Sequence, residues 1–359
     1  MPRQLWQWQV ARRGPDFDVI GRDSVLAMTL RNLITDIPGL RVGQAHDAKL
    51  GSGVTAVLFD TAVVASVDVR GGGPGTRETA LLDPAQTVDG VDAIVLAGGS
   101  AFGLDAASGA QAWLREQGRG FKVRDALVPI VPAAILFDLL SGGDKNWGRY
   151  PPYRELGYAA MAGAGADFAL GSVGAGTGAT TATLKGGVGS ASAMTRDGIA
   201  VGALAVANAV GTITVGDGPH FWAAPFEQNK EFGGRGWPPR ITSADLAIRA
   251  KGGAQENTTI AVIATDAALS KAQCNRLAVM AQDGLARAIY PVHTPLDGDV
   301  VFAAATGAKP LADPHYGMAE LGMVAANVMA RAIARGVYEA AALPFPGALP
   351  SWKDKFARS

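Results

Sequence analysis

The stretch Asn257-Thr258-Thr259-Ile260-Ala261-Val262-Ile263-Ala264-Thr265-Asp266 places a hydroxyl residue where a polar segment meets an apolar run. Lys251-Gly252-Gly253-Ala254-Gln255-Glu256, just before it, has neither periodicity nor apolar content and reads as a loop. The β-branched run that follows suits a buried, pleated surface and reads as a strand opening at Thr258. A threonine hydroxyl is a weak nucleophile until a base stands beside it. Cutting the Asn257–Thr258 bond would supply that base, because the freed α-amine belongs to the same residue as the hydroxyl. A strand-opening threonine is common and inert, so this chemistry needs companions elsewhere in the chain.

Three further places carry residue types that could assist. Asn208 is the single polar residue in the run Ile199 to Gly211. A buried amide without a partner costs about 1–3 kcal/mol, so Asn208 must be hydrogen-bonded or face a site. Lys185 is the only charge in the Gly/Thr-rich segment from Gly171 to Gly189. Such a lysine is ordinarily solvated; desolvated, it would lose basicity or require a partner. Asp297-Gly298-Asp299 follows His293-Thr294, and two carboxylates around a glycine ordinarily mark a solvated turn. Two glycine segments fail as known motifs. Arg70-Gly71-Gly72-Gly73 is not followed by Gly-Lys-Ser/Thr, so it is no Walker loop. Gly98-Gly99-Ser100 follows an apolar strand, but Phe102 stands where a nucleophile elbow needs glycine, and the glycine spacing matches no dinucleotide fingerprint.

The elements that must position these residues alternate between strands and helices. An entry turn and short strand cover Leu33 to Gln44, and two β-branched runs, Val54 to Phe59 and Ala62 to Val69, predict a hairpin around Asp60-Thr61. Ala93 to Ala97 reads as a buried strand, followed by a helix from about Ala101 to Gln117. Val128 to Leu139 is a further apolar element, and Pro151-Pro152 opens a helix through Ala160. Asp217 to Arg240, with Trp222 and Trp237, is irregular and reads as a lid or subunit contact. Beyond the Thr258 strand, Ser270-Lys271-Ala272-Gln273 is a capping box opening a helix from Lys271 to Ile289. A strand at Val300 to Ala305 and a helix from about Gly317 to Ala334 complete the pattern.

With 359 residues, 48% of them hydrophobic and 18% charged, the chain can bury a large core. Lys+Arg and Asp+Glu both total 32, which gives no electrostatic case for nucleic acid or an anionic membrane. One cysteine, Cys274, cannot form an intrachain disulfide, and with four histidines it shows no metal-ligand spacing, so no metal or other cofactor is expected. No apolar stretch approaches the ~20 residues of a membrane helix. After Arg12-Arg13, Gly14-Pro15-Asp16 stands where a secretory signal would need an apolar core, so a reducing cytoplasm fits best. Residues 1–32 read as an N-terminal extension, with a second plausible start at Met28, and 33–359 as a single catalytic domain.

Taken in order, Arg70-Gly71-Gly72, Gly98-Gly99-Ser100-Ala101-Phe102-Gly103, Lys185, Asn208, Asn257-Thr258-Thr259, and His293-Thr294 with Asp297-Gly298-Asp299 resemble the self-cleaving P1 (S58) peptidases. These include L-aminopeptidase/D-esterases, β-peptidyl aminopeptidases and nylon-oligomer hydrolases. The resemblance runs from about Leu33 to about Ala341, and it implies an α/β (α+β) fold, an αββα sandwich similar to N-terminal nucleophile hydrolases but differently connected. It implies a precursor cut into an α chain (1–257) and a β chain (258–359). Carried over residue by residue, Thr258 would be the nucleophile and Asn257 the new α-chain end. Lys185 and Asn208 would lie beside Thr258, and Asp297 and Asp299 would orient its amine. Phe137, with Gly98, Gly99 and Ser100, would line the substrate pocket, although Leu136-Phe137-Asp138 lacks the tyrosine of family members with Ile-Tyr-Asp. The implied substrates are small amino-acyl peptides, amides or esters, and the implied assembly is a homo-oligomer of αβ units, a tetramer or larger. Endo-acting hydrolysis of 6-aminohexanoate oligomers and acyl transfer of the ornithine acetyltransferase type remain alternatives.

Overall fold

The computed structural model describes residues 30–251 and 257–357; residues 1–29, including the second start at Met28, residues 252–256 and residues 358–359 lie outside them. Strands β1 (Leu40–Asp47), β2 (Ser52–Val69), β3 (Thr76–Arg77), β4 (Gly90–Ala97), β7 (Ala133–Ile135), β8 (Gly187–Met194), β9 (Ala200–Ala207), β10 (Ile260–Ala267) and β11 (Val300–Lys309) form one hydrogen-bonded sheet. Its order is β3-β7-β4-β2-β11-β10-β9-β8, with β1 paired to β2. A separate hairpin joins β5 (Phe121–Val123) and β6 (Ala126–Val128). The helices are α1 (Ala106–Glu116), α2 (Tyr153–Ala162), α3 (Lys271–Ala288), α4 (Tyr316–Tyr338) and a short α5 (Trp352–Phe356).

Alternate side chains of the strands enter different cores, and this sorts the layers. Ala261 and Ile263 of β10 and Val301 and Ala303 of β11 pack with α3 and α4. Their neighbours Ile260, Val262, Val300 and Phe302 share a second core with Val57 and Phe59 of β2 and Ile94 and Leu96 of β4. The opposite faces of β2 and β4, through Val54, Ala56, Ala93 and Val95, join a third core with α1 and α2. The result is helix, sheet, sheet, helix, the sandwich implied by the resemblance. Strands covered on both faces need apolar side chains at every position, which is why they appear as continuous runs rather than alternating ones. Two parallel pairs, β4 with β7 and β10 with β11, are joined across α1 and α3, as parallel pairing requires a crossover.

The expected hairpin at Asp60-Thr61 is instead the middle of one 18-residue strand, β2. Its first half pairs with β1 and β4; past a register shift between Leu58 and Val63 it keeps β4 only at Val63 and Val64 and pairs with β11 from Val64 to Val69. The polar pair that resembles a turn therefore marks an irregularity where the strand passes from one layer to the other. The helix expected after Ala101 begins as a 3-10 segment (Ser100–Asp105). The capping box at Ser270 is formed: Gln273 N donates to Ser270 Oγ and Ser270 N to Gln273 Oε1. Asn32, assigned above to the extension, belongs to the packed body, where its side chain meets Arg331 and Ser192. Trp237 is exposed, whereas Trp222 packs against Trp237 and Tyr290 and donates to Thr212 Oγ1. Among the described residues no helix is long and apolar enough to cross a membrane.

Candidate active site

Asn257 and Thr258 lie just before β10 and continue its ladders on both sides. Ile260 pairs with Val300 in β11 and with Val206 in β9. In the same registers Asn257 bridges Asp297, while Thr258 N donates to the Asn208 carbonyl at 3.1 Å. Asn257 N donates to the Leu296 carbonyl at 3.0 Å, and Gly298 N donates to the Asn257 carbonyl at 2.6 Å. The Asn257–Thr258 peptide is thus held at both of its polar atoms, its oxygen by Gly298 and its nitrogen by Asn208. Thr258 is buried, only 2% exposed.

Gly298 fits here because a side chain would not. A Cβ on it would stand 2.8 Å from Thr258 Oγ1 and 2.6 Å from the Gly73 carbonyl. The neighbouring glycine run has a matching task. Gly73 N donates to the Asp297 carbonyl at 2.7 Å, and Arg70 N to the Asp299 carbonyl at 3.0 Å. A Cβ on Gly71 would collide with the Asp299 nitrogen and the Asp297 carbonyl. These glycines let two backbones touch, and they hold the segment that presents the Gly298 N–H.

The two aspartates are buried, each 1% exposed, which overturns the solvated-turn reading. Asp299 Oδ1 accepts from Thr259 N at 2.8 Å, and its Oδ2 accepts from His293 N at 3.1 Å and pairs with His293 Nδ1 at 2.8 Å. Asp297 Oδ2 accepts from Thr294 N and Thr294 Oγ1, both at 2.9 Å, and Oδ1 from Val210 N at 3.2 Å. Burial, and then the Asp299 charge, push the Asp297 carboxyl up. Asp299 thus holds the residue after Thr258 and Asp297 the neighbouring segment at Val210, while the Thr258 nitrogen goes to the Asn208 carbonyl.

Asn208 is fully buried and satisfied. Its Oδ1 accepts from Thr180 N at 2.9 Å and from Lys251 Nζ at 3.2 Å, and its Nδ2 donates to the Phe137 carbonyl at 3.2 Å. Thr180 fixes which end of the amide is which, leaving one Nδ2 hydrogen beyond the Phe137 bond. Lys185 is placed differently from the expectation. Its Nζ donates to the carbonyls of Gly176, Ala179 and Gly186 at 2.7–2.8 Å, so all three hydrogens go to main-chain oxygens rather than to Thr258. Burial pushes its ammonium down to about 7, with Asp138 opposing.

Gly98 and Gly99 pack on Asp138, and Ser100 N donates to the Leu136 carbonyl at 2.9 Å; none of the three lines the cavity that Phe137 lines. Gly99 N donates to Asp138 Oδ1 at 2.7 Å and Ser52 Oγ to Oδ2 at 2.6 Å, while Tyr153 Oη reaches Ser52 Oγ at 3.1 Å. Asp138 is fully buried, and burial raises its carboxyl despite these donors. Phe137, by contrast, lines a cavity of about 270 Å3 together with Leu140, Thr180, Lys251 and Leu349. Sequence reasoning passed over Asp138 and Lys251. A signal existed for Asp138, a lone carboxylate closing an apolar run; none existed for Lys251, the first residue of a polar loop. Among the described residues no group of three or more His, Cys, Asp or Glu could hold a metal ion.

The model of peptidase family S58 matches residues 32–347. The chain belongs to that family. It is a hydrolase of peptide or amide bonds, similar to the S58 aminopeptidases. A Mycobacterium tuberculosis protein described as an uncharacterised aminopeptidase is 47% identical over 347 residues, covering 90% of this chain and 98% of the relative. A 6-aminohexanoate-oligomer endohydrolase of a Kocuria species is more distant, 29% identical over 300 residues that cover 81% of this chain and 78% of that protein. Among solved structures, an Ochrobactrum anthropi L-aminopeptidase D-Ala-esterase/amidase, described as a variant of the Ntn hydrolase fold, superimposes with a TM-score of 0.68 at 21% identity, covering 90% of this chain and 91% of its own. A Burkholderia β-aminopeptidase gives 0.66 at 24% identity with the same coverage. These two establish the fold.

Proposed function

We propose that this S58 protein cuts its own Asn257–Thr258 bond, and that the freed Thr258 then attacks the carbonyl of small amino-acyl amides, peptides or esters. The observation that carries this reading is the clamp on the junction: the Asn257 oxygen on Gly298 N–H, the Thr258 nitrogen on the Asn208 carbonyl, and the Thr258 hydroxyl against Gly298. In the first step Thr258 Oγ1 adds to the Asn257 carbonyl carbon. Negative charge develops on the oxygen that already accepts the Gly298 N–H, where a donor is worth roughly 3–4 kcal/mol. The C–N bond then breaks, the hydroxyl proton ends on the nitrogen, and an ester joins Asn257 to Thr258 Oγ1. Water hydrolyses it, leaving an Asn257 carboxylate and a Thr258 with free hydroxyl and amine.

Turnover repeats the chemistry on a separate substrate. An amide nitrogen has no useful basicity, whereas an α-amine with an ordinary pKa of about 7.7–8.0 is partly neutral near pH 7 and takes the hydroxyl proton. The Asn208 carbonyl continues to accept from that nitrogen and aims it, and the spare Nδ2 hydrogen of Asn208 is available to the substrate oxyanion. Asp299, through Thr259 N, holds the strand that Thr258 opens, and Asp297, through Val210 N, holds the segment that carries Asn208. No hydroxyl stands at position 137, so oxyanion stabilisation falls to the Asn208 amide and main-chain N–H groups.

Purified protein is expected as two fragments, the smaller beginning Thr-Thr-Ile-Ala when sequenced from its amino end. Thr258→Ala should give one chain without amidase activity. A single intact chain that still hydrolyses substrate would overturn the mechanism.

A further inference from the structure

Of the two lysines near Asn208, Lys185 is buried and Lys251 partly buried, and they are held in different ways. Lys185 makes three contacts of 2.7–2.8 Å to main-chain carbonyls. Lys251 Nζ makes two longer ones, 3.2 Å to the Thr180 carbonyl and 3.2 Å to Asn208 Oδ1. Its backbone is pinned beside them, with Lys251 N donating to the Val210 carbonyl at 3.0 Å. Asp138 and Asp297 both attract its charge. The ammonium faces the cavity of about 270 Å3, whose other walls include Phe137, Leu140 and Leu349. Asn208 connects the two places: its main-chain oxygen holds the Thr258 nitrogen and its side-chain oxygen holds Lys251.

Around Lys251 Nζ the chain therefore offers two carbonyl-type oxygens, two carboxylate charges further off and an apolar wall. A carbonyl oxygen has two lone pairs, so Asn208 Oδ1 keeps its Thr180 bond while accepting a cation. Such surroundings suit a primary ammonium on a short apolar body and disfavour a carboxylate. Lys251 itself is an alkylammonium that belongs to the chain.

We propose that the Thr180 carbonyl and Asn208 Oδ1 are the subsite for the free amino group of the substrate, and that Lys251 is a tethered competitor seated in it. This rests on Thr258 being the nucleophile, since the link from the subsite to the reacting atoms is Asn208, whose main-chain oxygen accepts from the Thr258 nitrogen. It restricts the substrates to amino-acyl compounds with an unblocked amine, and it makes the α chain a brake on its own enzyme. A short tether gives an effective concentration of order mM, at the upper end of ordinary KM values. Lys251 seated in nine molecules of ten raises the apparent KM about tenfold.

The test uses mature two-chain protein carrying Lys251→Met, which keeps the apolar stem, with Lys251→Gln as the second variant. The substrates are alanyl-p-nitroanilide and its N-acetyl counterpart, and the probe is n-butylammonium. The expected result is a fall of about tenfold in KM for the free-amine substrate in both variants, with the acetylated compound turned over by neither parent nor variants. n-Butylammonium should inhibit the variants competitively at lower concentration than it inhibits the parent. A loss of kcat that spares KM, or an equal response of the two substrates, overturns the proposal and makes Lys251 a support for the Asn208 side chain. Should the parent hydrolyse neither compound, the reading of Thr258 fails separately. Calorimetric titration of n-butylammonium into Lys251→Met then still decides: binding that the parent lacks supports the subsite, and binding to neither overturns it.

Discussion

Two buried carboxylates, Asp299 and Asp138, each take a main-chain N–H at the end of a sheet layer, with different consequences. Asp299 holds Thr259 N, one residue past the junction, and reaches His293 with its other oxygen. Asp138 holds Gly99 N and the Ser52 hydroxyl, with the charges of Lys145 and Lys185 nearby. The first sits beside the Asn257–Thr258 bond, the one that the proposed self-cleavage would break, and holds the residue that follows it. The second holds the glycine turn through Gly99 N and lies near Lys145 and Lys185. The regions meet where Asn208 Nδ2 donates to the Phe137 carbonyl, so Asn208 senses both. Proximity in the folded chain thus does not give two aspartates one role; what each one's hydrogen bonds immobilise decides it.

The largest expected effect on self-cleavage falls on the junction side. Asp299→Asn is isosteric but replaces a charged acceptor with a neutral one, and hydrogen bonds to charged groups contribute about 1.5–3 kcal/mol. Appearance of the Thr258 fragment, followed on denaturing gels, should slow by roughly 10- to 100-fold. Maturation at the parent rate would show that the Thr259 N–H bond does not aim Thr258.

Asp138→Asn sharpens the contrast from the other side. Its Oδ1 and Oδ2 both accept in the parent, and an amide must turn a donor toward Ser52 or Gly99, which costs about 1–3 kcal/mol. That loss should appear in the urea midpoint, with maturation slowed less than by Asp299→Asn. If Asp138→Asn slows maturation as much, the distinction between the two carboxylates breaks.

The smallest effect belongs to Lys185 and is a matter of pH. Its ammonium lies at about 7 in the folded protein against 10.5 as the ordinary value. Between these values the unfolded chain binds the proton and the folded chain does not, so stability rises with pH across this window. Below about pH 7 both states are protonated and the dependence vanishes. Lys185→Met should therefore remove part of the rise in urea midpoint between pH 7 and pH 10. An unchanged slope would mean that the three carbonyls keep Lys185 charged throughout.

What the sequence determined by itself was local. The capping box at Ser270 and the apolar runs of β4, β9, β10 and β11 could be read because their causes lie within a few residues or within one strand's burial on both faces. Thr258 at a loop-to-strand boundary was legible for the same reason, and the ordered set of motifs gave the family and the layered fold. What only the tertiary structure decided depends on partners far along the chain. Asp60-Thr61 reads as a turn until β4 and β11 are seen to pair with the two halves of one strand. Asp297-Gly298-Asp299 reads as a solvated turn until the glycines at 71–73 pack on it and bury both carboxylates. Lys185 and Lys251 are alike in sequence, each a lysine among small polar residues. One is enclosed by three carbonyls and the other stands at a cavity beside Asn208. Local patterns record propensity and periodicity, whereas desolvation and hydrogen-bond partners are set by whichever distant backbone arrives.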